Sequence, residues 1–255
     1  MTIRRGSMLV IAFLLASPGT AAAWGSDCKF TADRSASADT RGVERVEIFA
    51  RAGDLTVKPA TGTMLSASGR ACASSEKYLE QTQINLRREG NVLQIHVQVP
   101  EEMQGIGIFY ASLDLNVALP ATLPVEITDS SGDMTLEGVR VTRVLDSSGD
   151  ILARGLPGDV EIEDSSGDIS VLDQAGTLRI SDSSGDIVVR GAREVLIPRD
   201  SSGDIRIEQV SGSVRIEQDS SGDISIVNVG RDVEVLADSS GQVRVSSVQG
   251  AVKIP

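Results

Sequence analysis

The chain is 255 residues long, with 24 lysines and arginines against 36 acids, one histidine and 3% aromatic residues. A net charge of −12 argues against nucleic acid or an anionic membrane surface as a direct partner. One histidine and two cysteines leave little material for a histidine-based catalytic triad or a zinc centre.

Residues 1–23 read as an export signal. Arg4 and Arg5 form a basic start, Met8 to Ala16 an apolar run, and Ala21-Ala22-Ala23 a small-residue cleavage site. The run is too short for a stable membrane anchor, so no membrane span is expected after cleavage. The mature chain then begins at Trp24 and carries 22 cations against 36 acids, a net charge of −14. Cys28 follows Gly25-Ser26-Asp27, which is not the setting of a bacterial lipid-anchor cysteine. In an exported chain Cys28 and Cys72 are the natural disulfide pair.

Residues 24–123 are less regular. Strands are expected at 43–50, 54–58, 83–88, 91–99 and 112–119, with a hairpin turn at Arg88-Glu89-Gly90-Asn91 and one helical turn over 75–81. The stretch reads as an N-terminal β cap that covers the open edge of the C-terminal half. His96 alternates with Gln94 and Gln98 on a polar strand face, a poor place for a catalytic group. Met103 to Tyr110 concentrates apolar side chains and reads as a loop folded over the cap core, or else as an apolar lip that docks a partner.

Residues 124–255 repeat. Asp-Ser-Ser-Gly begins at Asp129, Asp146, Asp164, Asp182, Asp200, Asp219 and Asp238, at intervals of 17 to 19 residues. Six copies continue with a second aspartate, and the last continues with Gln242. Between corners, β-branched residues alternate with polar ones, as in Ile205-Arg206-Ile207 and Val214-Arg215-Ile216. Each period is therefore two short strands and two turns, the second turn near Gly158, Gly176, Gly212 or Gly250. One such unit cannot bury its apolar face alone. Stacked about 4.8 Å apart, the units share a continuous inner column, which predicts an all-β solenoid of about seven rungs.

The corner sequence suits a type I turn, with Asp first and Gly fourth. Its charge needs an account. Stacking builds one acidic column through Asp129, Asp146, Asp164, Asp182, Asp200, Asp219 and Asp238, and another through Asp133, Asp150, Asp168, Asp186, Asp204 and Asp223. Unit charges about 4.8 Å apart repel by roughly 0.9 kcal/mol in water and about 3.5 kcal/mol at an effective dielectric of 20. Either backbone amides absorb that charge, or cations do. The Ca²⁺ candidates are the pairs Asp146/Asp150, Asp164/Asp168, Asp182/Asp186, Asp200/Asp204 and Asp219/Asp223, expected along an outer ridge. The outward series Glu161, Arg179, Leu196, Arg215, Glu234, Lys253 has mixed signs, so stacked neighbours can pair.

An export signal, an early cysteine, Gly69-Arg70-Ala71-Cys72-Ala73 and recurring Ser-Gly-Asp-Ile together resemble the bacterial "putative adhesin" family of β-strand-repeat proteins, a domain of unknown function. The resemblance implies a β-helical, extracytoplasmic, non-enzymatic protein and carries over no catalytic or cofactor residues. The expectation is an interaction or structural module of the cell envelope, periplasmic or at the surface, whose partner is an envelope protein or glycan. A Ca²⁺-dependent envelope module is the second reading, and a carbohydrate-active β-helix enzyme the third.

Overall fold

The computed structural model describes residues 28–100 and 109–255, so the expected export signal and positions 103–108 of the apolar stretch lie outside the described residues. Among the described residues, seven strands and one short helix precede the repeats: β1 (Phe30–Asp39), β2 (Arg45–Phe49), β3 (Leu55–Ala60), β4 (Met64–Ala73), α1 (Glu76–Gln81), β5 (Gln83–Glu89), β6 (Val92–Gln98) and β7 (Ala111–Pro120). The five expected strands are present, as are the hairpin and the helical turn. Ser75 caps α1, its hydroxyl accepting from the Tyr78 amide at 3.2 Å. Two strands were not legible, β1 and β4. Their FTADRSASAD and MLSASGRACA sequences are rich in Ala and Ser and short of β-branched residues.

The repeats supply β8 (Val125–Thr128), β9 (Met134–Glu137), β10 (Val141–Leu145), β11 (Ile151–Arg154), β12 (Val160–Glu163), β13 (Ile169–Ser181) and β14 (Ile187–Arg199). The series ends with β15 (Ile205–Val210), β16 (Val214–Ile216), β17 (Ile224–Val229), β18 (Val233–Val235), β19 (Val243–Val248) and β20 (Val252–Lys253). All pair in parallel with the strand one period away, for example Ile205 with Ile224 and Val214 with Val233. The result is a β-solenoid with two walls. One wall runs through β8, β10, β12, the second half of β13, the second half of β14, β16, β18 and β20. The other runs through β9, β11, the first halves of β13 and β14, β15, β17 and β19.

Two features differ from expectation. The turn expected at Gly176 is instead a bend within the 13-residue β13, marked by a register shift between Gln174 and Thr177. A Cβ at Gly176 would lie 2.1 Å from the Gly158 carbonyl oxygen, so glycine there lets successive rungs touch. The other difference concerns β2 and β3. They enter the same two walls, β2 between β6 and β8, and β3 between β7 and β9. Beyond them the pairing turns antiparallel, with β5 on β6 along one wall and β4 then β1 beyond β7 along the other. This antiparallel end, with α1 laid against β4 and β1, closes the N-terminal mouth of the solenoid.

The interior is one continuous cluster of aliphatic side chains from Val43 to Val235. A single rung contributes Ile205, Ile207, Val210, Val214 and Ile216, all buried, at about 1.5–3 kcal/mol each relative to exposure. That gain exists only when neighbouring rungs cover both sides, which is why the repeat must propagate.

Candidate functional site

The corners carry the chain's densest surface chemistry. Each Asp-Ser-Ser-Gly-Asp corner lies directly on the one before it, and three contacts knit them together. The corner glycine has a left-handed backbone and no room for a side chain: Gly185 has φ +137°, and a Cβ would sit 1.9 Å from the Gly167 carbonyl oxygen. The second serine donates its hydroxyl to the first-serine carbonyl of the preceding corner, as Ser184 does to Ser165 at 3.2 Å and Ser202 to Ser183 at 3.3 Å. The second aspartate accepts through Oδ1 from the amide of its counterpart one rung on, Asp186 N–H to Asp168 at 2.9 Å and Asp204 N–H to Asp186 at 2.8 Å.

The structure separates the aspartates that the sequence reading placed together on an outer ridge. Only the second column lies outside: Asp150, Asp168, Asp186 and Asp204 are exposed and Asp223 is half-exposed. The first column faces inward, with Asp146, Asp164, Asp182, Asp200 and Asp219, and Asp129 before them, all buried. The reason is strand parity. In Ile180-Ser181-Asp182 the isoleucine points in, the serine out and the aspartate in. That alternation was present in the sequence, but the expectation of an acidic turn at the surface outweighed it.

The outer charge is absorbed by amides. Its column runs from Asp114 through Asp54, Asp133, Asp150, Asp168, Asp186, Asp204 and Asp223 to the amide of Gln242, one Oδ1 acceptor per rung. At the last step Arg244 also pairs with Asp223 Oδ2 at 2.9 Å and holds that carboxyl below the usual range.

The inner column is different. Oδ1 of Asp146, Asp164 and Asp182 accepts the amide of the following serine at 2.6–2.7 Å. Oδ2 of all six buried members has no hydrogen-bond partner. Burial therefore pushes these acids up from the ordinary value of 3.8, to about 7 for Asp129 and Asp200 and about 6 for Asp146 and Asp182. Asp164 and Asp219 shift the same way for the same reason.

One corner escaped the sequence reading. Ala50-Arg51-Ala52-Gly53-Asp54-Leu55 is a degenerate copy: Ala52 bridges Ser131, Asp54 accepts the Asp133 amide at 3.1 Å, and a Cβ on Gly132 would lie 2.3 Å from the Gly53 carbonyl. Gly-Asp-Leu was the surviving signal. The inner position is taken by the buried Ala50, so the carboxyl column starts at Asp129.

Elsewhere the surface carries ion pairs between rungs. Arg179 meets Glu161 at 2.9 Å, Lys253 meets Glu234 at 2.7 Å and Arg215 also pairs with Glu234, so the mixed-sign outward series does pair across rungs. Such exposed pairs stabilise by about 0–1 kcal/mol each. His96 stacks on Phe49, with ring centroids 4.5 Å apart, above a shallow hollow lined by Arg51, Asn85, Gln98 and Pro100. Phe109 packs edge-on against the buried Tyr78 at 6.0 Å, so the described end of the apolar stretch joins the cap core. Cys28 and Cys72 are joined as a disulfide with Cα atoms 5.7 Å apart. Among the described residues, no group of three or more His, Cys, Asp or Glu side chains is placed to hold a metal ion.

Comparison with known proteins places this geometry. A "putative adhesin" from Bacteroides fragilis matches with a TM-score of 0.51 at 15% identity, over 88% of this chain and 97% of that one, and shares the fold. A "putative cell adhesion protein" from Clostridium sporogenes matches at 11% identity over 88% of this chain and 100% of that one, with a TM-score of 0.41. A "putative lipid binding protein" from Parabacteroides distasonis matches at 16% identity over 88% and 97%, with a TM-score of 0.36. A comparison with curated proteins finds no match. The model of the Toastrack DUF4097 family matches residues 38–197, more than half of the sequence, and the chain belongs to that family of domains of unknown function.

Proposed function

We propose that this chain is a non-enzymatic binding module of the bacterial envelope, exported to the periplasm or cell surface, whose outer walls engage an envelope protein or glycan. The observation that carries the reading is the uniformity of the corners. Acid–base catalysis needs two carboxyls in unlike environments that both reach a substrate, and at these corners the unlike member is buried. Here every outer aspartate from Asp114 to Asp223 spends Oδ1 on a backbone amide of the next rung, the same way each time. The acids serve the scaffold, and the walls between corners are left to present side chains to a partner. The fold shared with the Bacteroides fragilis protein is compatible with this role.

The test uses the mature chain, residues 24–255, immobilised and challenged with purified cell-wall and capsular polysaccharides and with envelope proteins. Saturable retention without release of reducing sugar is the expected result. Release of reducing ends that vanishes when one Asp pair is changed to Asn would overturn the reading in favour of a carbohydrate-active enzyme. Retention and melting are expected to be the same in Ca²⁺ and in chelator, because amides already neutralise the outer column. A Ca²⁺ site at 100 times its Kd would add about 2.7 kcal/mol of stability.

A further inference from the structure

We propose that the inner aspartate column is a proton-binding site of the folded chain: the stacked carboxyls of Asp129, Asp146, Asp164, Asp182, Asp200 and Asp219 take up protons from solvent on folding and return them on unfolding, so that the solenoid is firmest in mildly acid surroundings.

Geometry carries this. Each of the six residues is at most 6% exposed, and each keeps a buried Oδ2 that meets no donor. A carboxylate in that position has lost its water and gained nothing for the second oxygen. A neutral acid resolves the conflict. Oδ1 remains the acceptor for a serine amide in five of the six, as Asp182 Oδ1 is for Ser183 N–H at 2.6 Å, while at Asp200 neither oxygen has a partner, and the proton sits on Oδ2. Successive rungs stack these groups at the inter-strand spacing, about 4.8 Å, and Asp200 and Asp219 are directly bridged partners. Full ionisation would therefore line up like charges in a dry interior.

The charged groups that act on the column are all acids. Besides its own members they are Asp54 beside Asp129, Asp150 beside Asp164, Asp168 beside Asp182, and Asp204 and Asp238 beside Asp219. Around them the interior is aliphatic, with Ile180 and Ile187 flanking the Asp182 corner. The column ends at Ala50 on one side and at the half-buried Asp238 on the other. Folded values raised to about 6 to 7 lie above the ordinary 3.8, so the native state holds the extra protons. The column's contribution to stability is fully present below about pH 4 and is lost as the pH rises through about 7.

The experiment counts protons released when the full mature chain is unfolded by guanidinium at pH 6 in weakly buffered solution with an indicator dye. A His96→Gln background removes the one histidine from the titration. Net release is expected, with at most one proton per inner aspartate. The unfolding constant should rise about tenfold per pH unit for each proton released. The triple variant Asp164→Asn, Asp182→Asn, Asp200→Asn should release fewer protons and show a flatter pH dependence. Asp150→Asn, Asp168→Asn and Asp186→Asn on the outer column should change both readouts far less than the inner triple variant, because burial is the first cause of the shift and the Asp150 and Asp168 charges are the least. Should the triple variant not fold, Asp182→Asn alone takes its place, and the parent proton count decides by itself. No release, uptake, or a stability that climbs between pH 4 and 7 would overturn the proposal. So would proton release abolished by millimolar Ca²⁺ together with a higher melting point, which would assign the column to a metal instead.

Discussion

A missing side chain decides more at the corners than any side chain present. Along Gly53, Gly132, Gly149, Gly167, Gly185, Gly203, Gly222 and Gly241, the backbone of one rung occupies the space a Cβ would need on the next. The obstructing atom is a backbone carbonyl whose neighbours are held by rung-to-rung hydrogen bonds, as Gly167 N–H is to Ser184 O at 3.0 Å, so it cannot step aside. Gly185→Ala should therefore cost about 3 kcal/mol or more, read as a fall in the urea midpoint at unchanged slope. Gly62 is the control, since it is also left-handed at φ +85° but has open space around it. Gly62→Ala should cost about 1 kcal/mol, from backbone strain alone. The outer aspartate is a gentler case. Removing its Oδ1 in Asp168→Ala leaves the Asp186 amide to water and should cost about 1 kcal/mol, whereas Asp168→Asn keeps the acceptor and most of the stability.

At the scale of the element, the strands follow the alternation of β-branched residues, and β15 and β16 begin at Ile205 and Val214, where the sequence places them. The second turn is where local rules bend. Asp173, Gln209, Asn228 and Ser247 all have φ between +57° and +60°, in the column where Gly138, Gly155 and Gly191 also sit left-handed. Small or amide-bearing side chains tolerate that region better than branched ones. Asn228→Val should destabilise by about 1–2 kcal/mol and Asn228→Gly by little, checked by chemical denaturation. β1 and β4 show the opposite limit. Their Ala- and Ser-rich stretches carry weak strand propensity, and they become strands because β7 offers β4 an edge and β4 offers one to β1. A Cβ on Gly69 of β4 would lie 2.3 Å from the Asp114 carbonyl, so even this weak strand is fitted to its neighbour.

Taken whole, the molecule is a stack closed at its N-terminal end by antiparallel strands and tied there by Cys28–Cys72. The bond ties the start of β1 to the end of β4 across 44 residues of sequence. Its loss through Cys72→Ser should cost about 2–4 kcal/mol, measured as a lower melting point that reductant no longer changes. With the mouth loosened, the rungs nearest β6 and β7 should lose amide-exchange protection before those around Asp182.

By itself, the sequence determined the repeat, its period near 18 residues, the β-branched inner faces and the turn chemistry of the corners. Each of these is local and recurs, so seven copies state it seven times. Only the tertiary structure decided that β2 and β3 slot between strands from later in the chain, that Ala50 to Leu55 is another corner, and that the inner acids each keep an oxygen with no partner. Those outcomes depend on which backbone lies against which, and on how much water each carboxyl keeps. Neither is a property of any short stretch of residues.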